Sequence, residues 1–266
     1  MVHLTLRGQP LGTAQPPADP ARIAAVLFDK DGTMSQSEPM LLRLARARVE
    51  QCLALGVSHG LDDARLQQLL DLLARAYGLG TDGLHPAGTI AVAARDHNLI
   101  STATALVQVG LGWPEALALS EQAFASTDSL HGQGAPTPPQ PTDGLANLLE
   151  RLTAAGVRCA VISNDHQPGI QAFLRRHDLA KHFAGLWSAD HLPRKPDPEA
   201  VHALCAELGV RPQSCALIGD ANSDLHMARK AGVAVVLGYQ DGWSQPVPLD
   251  PAFPQIHHWD ELEVVD

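Results

Sequence analysis

Four short stretches carry side chains suited to moving a phosphoryl group: Asp29-Lys-Asp-Gly-Thr33, Ser163-Asn164, Arg194-Lys-Pro196 and Gly219-Asp-Ala-Asn-Ser-Asp224. Phosphate monoesters hydrolyse extremely slowly in water. A catalyst must therefore neutralise the oxygens of the transferring group and bring a nucleophile in line with the leaving oxygen. A carboxylate can be that nucleophile, dividing the reaction through an acyl-phosphate. Asp29 is the candidate. Asp31, two residues on, points the same way past the end of a strand. It is the candidate to protonate the departing alkoxide and then deprotonate the attacking water. Crowding raises the pKa of one carboxyl among several, which favours a protonated Asp31, whereas a nearby metal pulls the other way. Gly32 permits a sharp turn with positive φ, and the Thr33 hydroxyl can hold that turn.

The remaining stretches supply positive and polar counterparts. Ser163 and the amide of Asn164 precede a helix, where hydroxyl and N–H groups favour an anion. Lys195 lies among Pro193, Pro196 and Pro198 and offers a charge worth on the order of 4 kcal/mol against a phosphate oxygen about 4 Å away at an effective dielectric near 20. Thr33, Ser163, Asn164 and Lys195 form the expected phosphate-binding set. Asp220 completes an oxygen cage with Asp29, a ligand set that suits Mg2+. Asp224 is expected to orient Lys195 or a metal-bound water. Each group taken singly has a plain structural reading: a turn, a helix cap, a surface lysine, an acid at a helix N-terminus.

What makes the set coherent is where it falls. Three stretches follow apolar runs that read as strands: Ile23 to Phe28, Val157 to Ile162 and Cys215 to Ile218. A parallel sheet brings such strand ends to one edge, where ligands bind in open α/β folds. From residue 144 helices and strands alternate: helix 144–155, strand 157–162, helices 168–177 and 198–208, strand 215–218, helix 223–231 and strand 233–237. This is the pattern of a doubly wound α/β core with a parallel sheet covered on both faces. Residues 38–139 carry instead amphipathic helical patterns without a strand signal, and form a second, all-helical domain. The core is then residues 23–37 with 140–266. The proline-rich residues 1–22 are expected to be an extended arm, and Gly132 to Pro141 a linker. The tail after Gly238, with Trp243 and Trp259, is expected to pack back on the core.

With 266 residues, 45% of them apolar, the chain can bury a large core. A formal net charge of −10 argues against nucleic-acid and anionic-membrane partners. Four cysteines without paired spacing indicate reduced, buried thiols rather than disulfides or zinc. No apolar run spans a bilayer and no signal core opens the chain, so a soluble, cytoplasmic protein is expected.

These residues resemble the haloacid dehalogenase-like hydrolase superfamily, whose signature is D-x-D-G-T, then Ser or Thr, then Lys, then G-D-x-x-x-D. Residues 141–237 resemble it throughout, including Gly144-Leu145, Lys195-Pro-Asp-Pro198 and Ala228 to Gly232. The resemblance implies an aspartyl-phosphate mechanism with Asp29 as nucleophile and Asp31 as acid and base. It also implies Ser163 and Lys195 on the phosphate, and Mg2+ on Asp29, Asp220 and the backbone carbonyl of Asp31. A helical insert after the first motif resembles the phosphoglycolate phosphatase and β-phosphoglucomutase branch, as does the hinge-like Ser37-Glu38-Pro39. Ser35-Gln36 departs from that branch's pattern of an apolar residue and an aspartate. Residues 38–139 contain no lysine, which excludes phosphonate cleavage through a cap imine. Three readings follow: a magnesium-dependent phosphatase acting on a small phosphate monoester, a phosphomutase, and a non-catalytic binding protein. Arg43, Arg46, Arg48, Arg75 and Arg95 are candidates to meet a substrate carboxylate or second phosphate.

Overall fold

A computed structural model describes residues 2–12, 21–130 and 138–265. The chain divides into two compact units, Met1–Gln36 with Gln140–Asp266, and Ser37–Pro139. The expected linker at 132–141 lies mostly outside the described residues.

The first unit is built on six parallel strands in the order Gln255–Ile256, Val235–Tyr239, Cys215–Gly219, Ala25–Phe28, Arg158–Ile162 and Phe183–Trp187. Strands dense in Val, Leu, Ile and Ala are buried on both faces, as a sheet covered by helices on either side requires. Alternate residues divide between the faces. Val26, Phe28, Val161, Ile218 and Leu237 pack with the helices Leu145–Ala154 and Gln167–Arg176. Leu27, Ile162 and Leu217 pack with Pro198–Leu208 and Asn222–Lys230. The central strand sets the register of the site. Phe28 lies opposite Ile218 on one side and Val161 on the other. Asp29, Asp220 and Ser163 thus leave three adjacent strands within a residue of the same level.

The N-terminal residues differ from the arm expected over 1–22. His3–Leu6 is a strand paired antiparallel with Leu262–Val265, and Val2 and Leu4 are buried in the core cluster with Trp259. Burial in this strand centres on Leu4 and Thr5, and its partner stands at the far end of the sequence. The proline-rich residues 13–20 lie outside the described residues. Phe183–Trp187 and Gln255–Ile256 are strands not anticipated from sequence.

The second unit is helical over Glu38–Ser58, Asp63–Tyr77, Thr89–Val92, Arg95–Gln108 and Trp113–Thr127. One short ladder, Leu79–Gly80 with Gly83–Leu84, interrupts an otherwise helical unit. Arg48 and Arg95 both turn to Asp128, at 3.0 and 2.8 Å, and lie over the Phe124 ring. Arg75 pairs with Asp71 one turn away. These three guanidiniums are therefore engaged within the unit. No helix among the described residues is long and apolar enough to cross a membrane.

Candidate active site

Asp29 follows the last residue of the central strand, and its N–H donates to the carbonyl of Ile218 at 2.9 Å, so the sheet itself fixes where the carboxylate starts. Lys195 arrives from the loop before Pro198–Leu208. Its Nζ lies 2.7 Å from Asp29 Oδ1 and 2.8 Å from Asp224 Oδ1, and donates to the Ile162 carbonyl at 3.2 Å. Burial alone would pull this ammonium below its ordinary value; the carboxylates of Asp224 and Asp29 reverse the effect and hold it above. Lys195 is thus a fixed positive centre at the strand ends.

Asp220 is gripped at both oxygens. Thr33 Oγ1 donates to Oδ1 at 2.8 Å, and Trp243 Nε1 to Oδ2 at 2.7 Å. Burial first, then the charges of Asp29 and Asp224, push Asp220 well above the ordinary carboxylate value of 3.8; the two hydrogen bonds offset this only in part. Burial and the Asp29 charge likewise raise Asp224 to about 6, against the opposing pull of Lys195. Ligand oxygens of Asp29, Asp220 and Asp224 all lie within 4.8 Å of one another. Three buried carboxylates facing one ammonium leave the cluster short of positive charge, and hard oxygen donors at this spacing fit a divalent cation such as Mg2+.

Ser163 ends the neighbouring strand, where its N–H donates to the Trp187 carbonyl at 2.9 Å. Its hydroxyl accepts from the Asp165 N–H at 3.1 Å, closing the turn into the next helix. Ser163 and Asn164 thus stand at the sheet edge beside Asp29. Thr33, expected among the phosphate ligands, reaches Asp220 here. Its hydroxyl proton goes to Asp220, so the side chain orients an acid. The Asp31 carboxylate, expected as acid and base with only its backbone carbonyl on the metal, stands outside the three-carboxylate cluster and turns to Lys30 Nζ at 2.5 Å. Asp224, expected to orient Lys195 or a metal-bound water, pairs with Lys195 and also joins the cluster.

Three neighbours of these acids were not found by sequence reasoning. Lys30, only 2% exposed, bridges Asp31 and Asp165, the latter at 3.2 Å. Asp165 in turn accepts from the His166 N–H at 2.7 Å. A charged residue between two strand-end aspartates, with a third aspartate directly after Ser163-Asn164, was the available signal. Trp243 had none, standing more than twenty residues after Asp220 in an irregular segment.

A family model described as haloacid dehalogenase-like hydrolase matches residues 23–232. The N-acetylmuramic acid 6-phosphate phosphatase of Pseudomonas aeruginosa is 27% identical over 92% of this chain and 91% of its own. The phosphoglycolate phosphatase of Rhodospirillum rubrum is 31% identical over 80% of this chain and 78% of its own. Among solved structures, a predicted phosphoglycolate phosphatase from Haemophilus somnus shares the fold with a TM-score of 0.59 at 19% identity, over 88% of this chain and 93% of that one. The match runs from the first strand of the parallel sheet to the end of the helix that follows Asp220, and this chain therefore belongs to the haloacid dehalogenase-like hydrolase family.

Proposed function

We propose that this protein is a metal-dependent phosphatase that hydrolyses a small phosphate monoester through an aspartyl-phosphate on Asp29. The observation that carries the reading is the convergence of Asp29, Asp220, Asp224 and Lys195 at the ends of two adjacent parallel strands. Asp29 and Asp220, with Asp224 and the backbone carbonyl of Asp31 beside them, would hold the cation. When bound, it would supply charge stabilisation for the phosphoryl oxygens and so let the carboxylate approach an anionic ester.

In the first half-reaction an Asp29 carboxylate oxygen forms a bond to phosphorus while the ester P–O bond breaks, and the leaving alkoxide takes a proton from Asp31. In the second, Asp31 takes a proton from water, whose oxygen bonds to phosphorus as the Asp29–phosphorus bond breaks, releasing phosphate. Lys195 fixes Asp29 Oδ1 and, with Ser163 and the Asn164 amide, provides the positive edge for the phosphoryl oxygens. The helical unit, Ser37–Pro139, is the part assigned to substrate selection.

N-acetylmuramic acid 6-phosphate and phosphoglycolate, the compounds in the names of the relatives, both combine a phosphate ester with a carboxylate. We assign this chain's substrate to that class, and four free cysteines fit a cytoplasmic setting. The test is phosphate release from a panel of carboxylated phosphate esters with Mg2+, for the wild type and Asp29→Asn. The variant should lose at least about 10³-fold in kcat, a loss typical of removing an activated nucleophile. Wild-type rates in Asp29→Asn would end the reading. Isomer formation without phosphate release would replace it with a phosphomutase.

A further inference from the structure

The family match ends at residue 232, yet a residue beyond it reaches the centre of the site. After the strand Val235–Tyr239 the chain makes an irregular passage through Gln240, Asp241, Gly242 and Trp243. Trp243 is 8% exposed, and its indole nitrogen donates to Asp220 Oδ2 at 2.7 Å. Thr33 holds the other oxygen of the same carboxylate.

Two glycines make this approach possible. A Cβ on Gly32 would stand 2.1 Å from Trp243 Nε1 and 2.3 Å from Asp220 Oδ2, and the residue has φ of +78°, a region that side chains disfavour. A Cβ on Gly242 would stand 1.7 Å from the Gly32 carbonyl oxygen. The turn at Gly242 therefore lies directly against the turn that follows Asp29. Two turns with no room for a side chain between them leave the indole little freedom to settle elsewhere.

We propose that Trp243 is a positioning residue of the divalent-cation site, whose indole N–H fixes the plane of the Asp220 carboxylate so that cation affinity depends on this loop. The proposal rests on the reading that Asp29 and Asp220 hold a cation. A carboxylate pinned at one oxygen can still turn about its Cβ–Cγ bond; pinned at both, it presents its remaining lone pairs in one direction. Partners that orient a ligand in this way change metal affinity by about 10–100-fold when removed.

The experiment uses the full chain and the metal alone. Trp243→Phe keeps an aromatic ring in the same space and removes the N–H. Calorimetric titration with Mn2+ and Mg2+ should show Kd raised about 10–100-fold in the variant. A residue that only covers a buried acid would lower thermal stability in EDTA without changing the Kd of the folded protein, so a Kd within threefold of wild type overturns the proposal. Should the variant not fold, 15N-indole spectra of the wild type decide. One indole N–H resonance should shift on adding Mg2+; if none moves, the proposal is overturned. Wild-type protein that binds neither cation at millimolar concentration would end the cation-assisted reading itself and this inference with it, whereas equal binding by both proteins ends the inference alone.

Discussion

Replacing Lys30 with methionine is the sharpest perturbation of the site's framework. Its Nζ is 2.5 Å from Asp31 Oδ1 and 3.2 Å from Asp165 Oδ2, with the side chain 2% exposed. At an effective dielectric near 20 these separations correspond to gross attractions of roughly 7 and 5 kcal/mol, set against several kcal/mol for taking an ammonium out of water. Methionine fills most of the volume but leaves two carboxylates facing one another without their cation. Breaking a buried pair from one side costs about 3–5 kcal/mol. For a chain of this size each kcal/mol moves Tm by about 2–4 °C, so Lys30→Met should melt roughly 6–20 °C lower by calorimetry. Adding Asp165→Asn should recover part of that loss, because one of the stranded charges disappears. Burial pulls Lys30 below its ordinary 10.5, but Asp31 and Asp165 more than reverse this and hold it raised. A raised lysine stabilises fully below its unfolded value and loses that contribution only as pH rises through the folded one. The deficit should therefore be flat between about pH 6 and 9. A Tm within 2 °C of wild type, or a double variant that loses the sum of both single effects, would refute the account.

Two further outcomes follow from the same geometry. Asp224 is raised to about 6 and Asp220 also lies above 3.8, so their protonated forms favour the metal-free fold below the unfolded value, and that stability is lost as pH rises through the folded one. The Tm difference between Mg2+ and EDTA samples should consequently open as pH rises through about 6, and a difference constant from pH 4 to 8 would contradict it. Deleting residues 1–7 removes the strand that pairs with Leu262–Val265 and the buried side chains of Val2 and Leu4. The cost should be about 3–6 kcal/mol at about 1.5–3 kcal/mol for each buried side chain, read by urea unfolding; unchanged stability would mean that the strand contributes nothing.

What the sequence made legible were features carried by one segment at a time. Asp29, Ser163 and Asp220 could be placed because each follows an apolar run, and parallel register then aligned them without knowledge of any contact. The helical pattern of 38–77 was equally local, with Leu41, Ala45, Val49 and Cys52 on one buried face. Features that depend on two distant segments escaped. His3–Leu6 reads as a strand only when Leu262–Val265 stands beside it. Phe183–Trp187 contains Gly185 and lies at the sheet edge, where the apolar signal is weak. Lys30 looks like a solvated lysine until Asp165, on another strand's loop, is known to face it. Thr33 could be seen to serve the turn, but not that its hydroxyl would reach Asp220.

The distribution of counter-groups among the acids marks where a cation would answer a shortage of positive charge. Lys195 is shared by Asp29 and Asp224. Lys30 is shared by Asp31 and Asp165. Asp220, at the same strand edge, meets the neutral donors Thr33 and Trp243 and no ammonium among the described residues. Neutral donors orient a carboxylate without cancelling its charge, so the uncompensated negative potential gathers around Asp220 and the face of Asp29 turned towards it. A divalent ion placed there would answer the deficit, while Lys195 keeps Asp29 Oδ1 aimed. Moving Lys30 or Lys195 onto Asp220 would neutralise the pocket and leave Asp31 or Asp29 without its partner. Two lysine-bridged pairs are thus kept apart from one acid held by neutral donors, the arrangement that the proposed roles of nucleophile, proton carrier and metal ligand require.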